Sequence, residues 1–170
     1  MRPEQARDMA CYNQWMNDRL YAICAELPDA ERRKDRGAFF KSIHGTLNHI
    51  LLADRIWLGR FLGEPFQASS LDQELYHDFG ELTQARQDTD RTIIEWADTL
   101  TEETLGGDLR YTSMVNPQPR KYEYWLAVTH FFNHQTHHRG QLTTLLSQSG
   151  KDIGVTDLIM LPDVVARNAL

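Results

Sequence analysis

The segment His130–Leu142, HFFNHQTHHRGQL, gathers four of the chain's seven histidines. Imidazole changes charge near neutral pH and is a common metal ligand. On a helix turning about 100° per residue, with His130 at zero, His134 falls at about 40°, His138 at about 80°, His137 at about −20° and Gln141 at about 20°. All five share one stripe. Two histidines at i and i+4 project from adjacent turns of one face, so their ring nitrogens can meet a single ion. His134 with His138 forms such a pair, and so does His130 with His134. The apolar residues Val128, Phe131, Phe132, Leu142, Leu145 and Leu146 cover an arc from about 60° to about 200°. His138 lies inside that arc and His134 at its edge, with His130 and His137 nearer the rim.

A catalytic site of this kind takes three protein ligands, so a third must come from another helix. The segment SIHGTLNHILLADRIWL offers His44 and His49. His49 is embedded among Leu47, Ile50, Leu52, Ala53 and Ile56 and faces other helices. His44 is turned away from it by about 140° and falls with Asn48 and Arg55 on a more polar side. His49 is the better third ligand, and nothing ties His77 to the group. Three neutral imidazoles on a divalent ion leave positions open for water or substrate, which suits hydrolysis or thiol transfer. Nitrogen-only ligation favours zinc or nickel. No carboxylate stands beside the HxxxH pair, which argues against a protease of the HExxH type. His130 and Gln141 are candidates for supporting the ligands or relaying protons.

Two inward charges raise a separate expectation. Asp54 is flanked by Leu51, Leu58 and Phe61, and Arg139 by Val128, Phe132 and Leu146. An unpaired buried charge is costly. The two are expected to pair with each other or with the polar residues of YNQWMN, Tyr12–Asn17. Trp15, Trp57, Trp96 and Trp125 read mostly as core.

Four long stretches have to position these residues. Helices are predicted over about Pro3–Leu27, Ala38–Leu62, Ser70–Leu100 and Tyr124–Ser147. Pro3 suits a first turn, and Ser70 followed by Gln73 resembles a capping box. GGDLRYTSMVNPQPRKYEYW, before the last helix, predicts a short hairpin around Leu109–Ser113 and Arg120–Tyr122. The tail VTDLIMLPDVVARNAL is apolar enough to pack back on the body. Residues 1–170 read as one all-α domain, a four-helix bundle with a short irregular or hairpin insertion before the last helix.

Hydrophobic residues at 41% and charged residues at 25% fit a soluble globular protein. A net charge of −6 argues against a general grip on nucleic acid or anionic lipid. No apolar run approaches membrane-spanning length. The N-terminus lacks the apolar region of a secretory signal, and Cys11 and Cys24 make no disulfide framework. A cytoplasmic protein with two reduced cysteines is expected.

Three segments together resemble the DinB branch of the DinB/YfiT-like superfamily of small helical metal-binding proteins. They are YNQWMNDRL (Tyr12–Leu20), FFKSIHGTLNHILLADRIWLGRF (Phe39–Phe61) and HFFNHQTHHRGQL. The resemblance spans nearly the whole chain, and the last segment is its most specific part. It implies an up-down-down-up topology and a homodimer. It also implies a divalent metal on three histidines, which here are His49, His134 and His138. Relatives in the wider superfamily include thiol-dependent transferases and isomerases. A metal-dependent transferase with a low-molecular-weight thiol co-substrate, or a hydrolase, acting on a small molecule is therefore the leading expectation. The alternative is a non-catalytic metal-binding stress-response protein.

Overall fold

The computed structural model describes residues 1–113 and 117–169. In order, the chain forms α1 (Pro3–Ala25), α2 (Asp29–Arg33), α3 (Ile43–Leu62), α4 (Phe79–Thr99) and α5 (Glu102–Gly106). A hairpin of β1 (Asp108–Thr112) and β2 (Pro119–Glu123) follows, then α6 (Tyr124–Gln148) and, after a 3-10 turn at Leu158–Met160, α7 (Pro162–Arg167). The fold is thus mostly helical with one small sheet. Both α1 and α3 pack against α4 and α6. None of the helices among the described residues is long and apolar enough to cross a membrane.

Two helix starts differ from expectation. The second long helix begins at Ile43 rather than Ala38, because Ser42 Oγ accepts from the Gly45 N–H at 3.0 Å. Residues 38–41 form a turn instead, with Lys41 at φ 64°. Gly45 permits that turn to lie close, since a Cβ there would stand 2.3 Å from the Phe40 carbonyl oxygen.

The third long helix begins at Phe79, capped by Asp78, rather than at Ser70. Gln73 does not cap a helix; its side chain accepts from the N–H and hydroxyl of Ser69. The physical reason lies in α3. A helix over Ser70–Asp78 would need the Leu75 N–H to bond the Leu71 carbonyl. Asn48 Oδ1 takes the Leu75 and Tyr76 N–H groups at 2.8 and 3.0 Å, and His49 takes the Leu71 carbonyl at 2.8 Å. Tertiary partners consume the bonds on which local helix formation depends.

The hairpin lies where it is expected, with Leu109 opposite Tyr122 and Tyr111 opposite Arg120. Residues 114–116 of its predicted connection lie outside the described residues. The tail packs back on α1: the Tyr12 hydroxyl donates to the Thr156 carbonyl at 2.5 Å, and Arg19 donates to the carbonyls of Ile153 and Val155. Both cysteines are free, Cys24 buried and Cys11 half-buried.

The apolar core is in two parts. One gathers Met16, Leu20, Leu47, Leu51, Leu82 and Leu142. The other gathers Ala6, Leu58, Ile93, Trp96, Phe131 and Phe132. On each long helix, buried polar residues separate the two parts. Arg86, only 2% exposed, bonds Asp54 at 2.6 Å and Asp90 at 2.9 Å. Asp90 also accepts from Asn13 at 2.8 Å and Asn17 at 3.1 Å, and Asp54 from Gln135 at 3.0 Å. Arg139 donates to Asn13 Oδ1. Asp54 and Arg139 therefore do not bond one another. Arg86 satisfies Asp54, and Arg139 takes the second expected route, through the YNQWMN segment.

Removing one member of a buried charge set leaves its partners uncompensated. Arg86→Leu is expected to lower the unfolding free energy in denaturant titration by about 3–5 kcal/mol. Arg167→Ala, which loses an exposed pair with Asp8, should cost no more than about 1 kcal/mol. Equal small losses would contradict a structural role for the polar layer.

Candidate metal centre

Asn48, His49 and Asp54 on α3 and His134, Gln135 and His138 on α6 show how the site is assembled. The Gln135–Asp54 bond ties the two helices beside the histidines. His49 Nε2 and His138 Nε2 then stand 3.2 Å apart, and His138 Nε2 and His134 Nε2 3.1 Å apart. Each of the three residues offers a nitrogen within 4.8 Å of the others, a group that can hold a metal ion. His49 and His138 are buried and His134 is half-buried.

The outer nitrogens determine what the inner ones present. His49 Nδ1 lies 2.8 Å from the Leu71 carbonyl oxygen and His138 Nδ1 lies 2.8 Å from Gln141 Oε1. Both acceptors require a proton on Nδ1, so a neutral ring must expose its Nε2 lone pair. Two bare lone pairs facing each other at 3.2 Å repel. A cation among the three nitrogens turns that repulsion into ligation. The donor set and its tautomers therefore fit a divalent metal.

Electrostatics agree. Burial pushes the His49 imidazole down to about 4. Burial, reinforced by the neighbouring His138 and His49, pushes His134 down to about 3. Burial lowers His138 as well, against the bond that its Nδ1–H donates to Gln141. All three rings are neutral and ready to ligate at neutral pH.

The other histidines fall elsewhere. His130 is exposed, with its ring centroid 6.0 Å from that of His134 and 4.9 Å from that of Trp57. His137 is exposed beside Gln141. His44 is 2% exposed and bonds the Tyr76 carbonyl. His77 is at the surface beside Glu74.

A family model described as the DinB family matches residues 2–166. The chain belongs to the DinB family. Protein DinB of Bacillus subtilis (strain 168) is 26% identical to it over 156 residues, covering 86% of this chain and 87% of that protein.

Several residues around this DinB-family site escape sequence reasoning. Phe40 stacks on the His49 ring with centroids 3.7 Å apart and meets His138 edge-on at 5.5 Å. It covers the outer side of the pair from the turn before α3. Its role is hidden when residues 38–42 are read as helix. Arg86 and Asp90, at i and i+4, resemble an ordinary surface pair. The available signal is that they share a face with the buried Leu82 and Ile93.

Neutral buried histidines carry a pH consequence. Between about pH 6.5 and pH 4 the unfolded chain protonates His49 and His134 while the folded state resists, so stability must fall as pH falls through that window. In the presence of chelator, a His134→Gln variant should lose stability less steeply than the parent across this range, by a slope worth about one proton. Parallel stability–pH curves for the two proteins would contradict the burial of a neutral His134.

Proposed function

We propose that this protein is a metal-dependent enzyme in which His49, His134 and His138 hold one divalent ion, zinc or nickel, for chemistry on a small molecule. The observation that carries the reading is the convergence of three Nε2 atoms whose Nδ1 partners, where present, leave the lone pairs free. Zinc and nickel both accept an all-imidazole donor set. Three ligands leave room for a substrate group, which separates a working site from a closed structural one.

Bound there, the ion would supply a Lewis-acid centre able to acidify a water or hold a thiol as thiolate. Hydrolysis and group transfer with a low-molecular-weight thiol as co-substrate are the two reaction classes this supports. The protein's own contribution is positional. The Leu71 carbonyl and Gln141 fix ring orientation, and Phe40 keeps water from the outer side of His49. His130 stands one ring away from His134, free to exchange a proton with whatever approaches.

Membership of the DinB family and the packing of α1 and α3 on both α4 and α6 support an up-down-down-up four-helix bundle. The same reading makes the protein a cytoplasmic homodimer that binds no nucleic acid, in keeping with its net charge of −6.

Metal analysis of untagged protein tests the site. About one ion per chain is expected in the parent and in His130→Ala, with loss in His49→Ala, His134→Ala and His138→Ala. Undiminished occupancy in the last three would refute the ligand set. Gln141→Ala should keep the site but weaken metal affinity by about 10–100-fold. Screening thiols and ester or amide substrates with metal-loaded protein then tests the enzyme reading. Full occupancy without metal-dependent turnover would favour a non-catalytic stress-response role.

A further inference from the structure

A cleft of about 440 Å³ opens beside the three histidines, lined by Trp57, Tyr111, Tyr122, Leu126, Ala127 and His130. Its volume suits a small organic molecule. His130 belongs both to this cleft and to the surroundings of His134, so the cleft begins one ring away from the metal-binding group. Its walls are flat: Trp57 and Tyr111 meet edge to face at 5.8 Å, and Tyr111 stacks with Tyr122 at 6.2 Å.

Arg60 is not itself a lining residue, but it lies against two of them, Trp57 and Tyr111, and provides the charge. Its guanidinium lies 4.4 Å from the Trp57 ring centre and 4.1 Å from that of Tyr111. It is half-buried, yet among the described residues it makes neither a hydrogen bond nor an ion pair. Every other buried or half-buried arginine donates to an oxygen. Burial pushes its pKa down, and only Tyr111 and Tyr122 oppose that shift. A guanidinium lying over two aromatic rings, with its N–H groups unspent, is set to receive a planar anion in two parallel hydrogen bonds.

We infer that the cleft binds a flat, largely apolar carboxylate, its body against Trp57 and Tyr111, its carboxylate on Arg60 and its other end passing His130 toward the three histidines. This names the substrate class of the proposed enzyme and rests on that reading only for the chemistry. The binding itself depends on Arg60 and the aromatic walls. A carboxylate matches the guanidinium fork, and the rings supply an apolar face for the rest of the molecule.

Calorimetric titration with 2-naphthoate and its neutral analogue 2-naphthamide tests it, on protein kept metal-free with chelator and on zinc-loaded protein. Naphthoate should bind both forms, at least about tenfold more tightly than naphthamide. Arg60→Gln should weaken naphthoate about tenfold or more and leave naphthamide unchanged, the latter serving as the control for folding. Equal affinity for the two probes, or naphthoate binding unaltered in Arg60→Gln, would overturn the assignment. So would naphthoate binding seen only with zinc, which would put the carboxylate on the metal. Absence of naphthoate binding in a protein that sediments as a dimer would give the cleft to a second copy and overturn it too. Naphthoate binding through Arg60 in a protein that takes up no zinc would uphold the cleft while refuting the metal-enzyme reading.

Discussion

A guanidinium cannot remain charged in an apolar interior without nearby anions, and desolvating it costs several kcal/mol before any attraction is counted. Arg86 meets this constraint with two carboxylates, Asp54 on α3 and Asp90 on its own helix. Each carboxylate then needs further donors, which Gln135 supplies from α6 and Asn13 and Asn17 from α1. One buried cation thereby couples all four long helices through directional bonds. Apolar packing alone tolerates sliding of one helix along another; hydrogen-bonded charges do not. The coupling matters most between α3 and α6, because Gln135 adjoins His134 and Asp54 lies little more than one turn beyond His49. Fixing that register brings imidazoles from two helices to within 3.2 Å of each other.

The second constraint acts on the segment between α3 and α4. A single helical hydrogen bond, Leu75 N–H to Leu71 carbonyl, is replaced by two tertiary ones. Asn48 takes the donor and His49 takes the acceptor. The exchange keeps both backbone groups satisfied while converting a would-be helical turn into a strap across α3. Because Leu71 now faces His49, the strap fixes that ring's tautomer. Adjacent residues on α3 thus do complementary work, Asn48 holding the strap and His49 being oriented by it. Gly45 does the corresponding task on the other side, letting the turn that carries Phe40 lie close to α3.

These two constraints explain what the sequence discloses. The histidine stripe of α6 and the inward setting of His49 follow from helical periodicity, since they depend only on spacing within one element. The resemblance to DinB proteins then joins elements that periodicity treats separately. Asp54 and Arg139 are legible as inward charges, but their partners are not. Choosing Arg86 for Asp54 requires knowing which face of α4 meets α3, and α4 itself starts nine residues later than its local signals suggest. The Ser70 and Gln73 signal is real chemistry read in the wrong place, as Gln73 does cap backbone and hydroxyl groups, those of Ser69. The aromatic cleft is invisible for the same reason: Trp57 and Tyr111 are far apart in sequence and meet only when the hairpin folds against α3.

The proposed metal centre requires His49, His134 and His138 to present their Nε2 atoms to one ion. X-ray absorption spectroscopy of the zinc-loaded protein tests this most directly. It should show three imidazole nitrogens at about 2.0–2.1 Å and one or two oxygen donors completing the shell. His138→Ala should remove one imidazole from that shell. A spectrum with sulfur ligation, or with the same number of imidazoles in His138→Ala as in the parent, would contradict it.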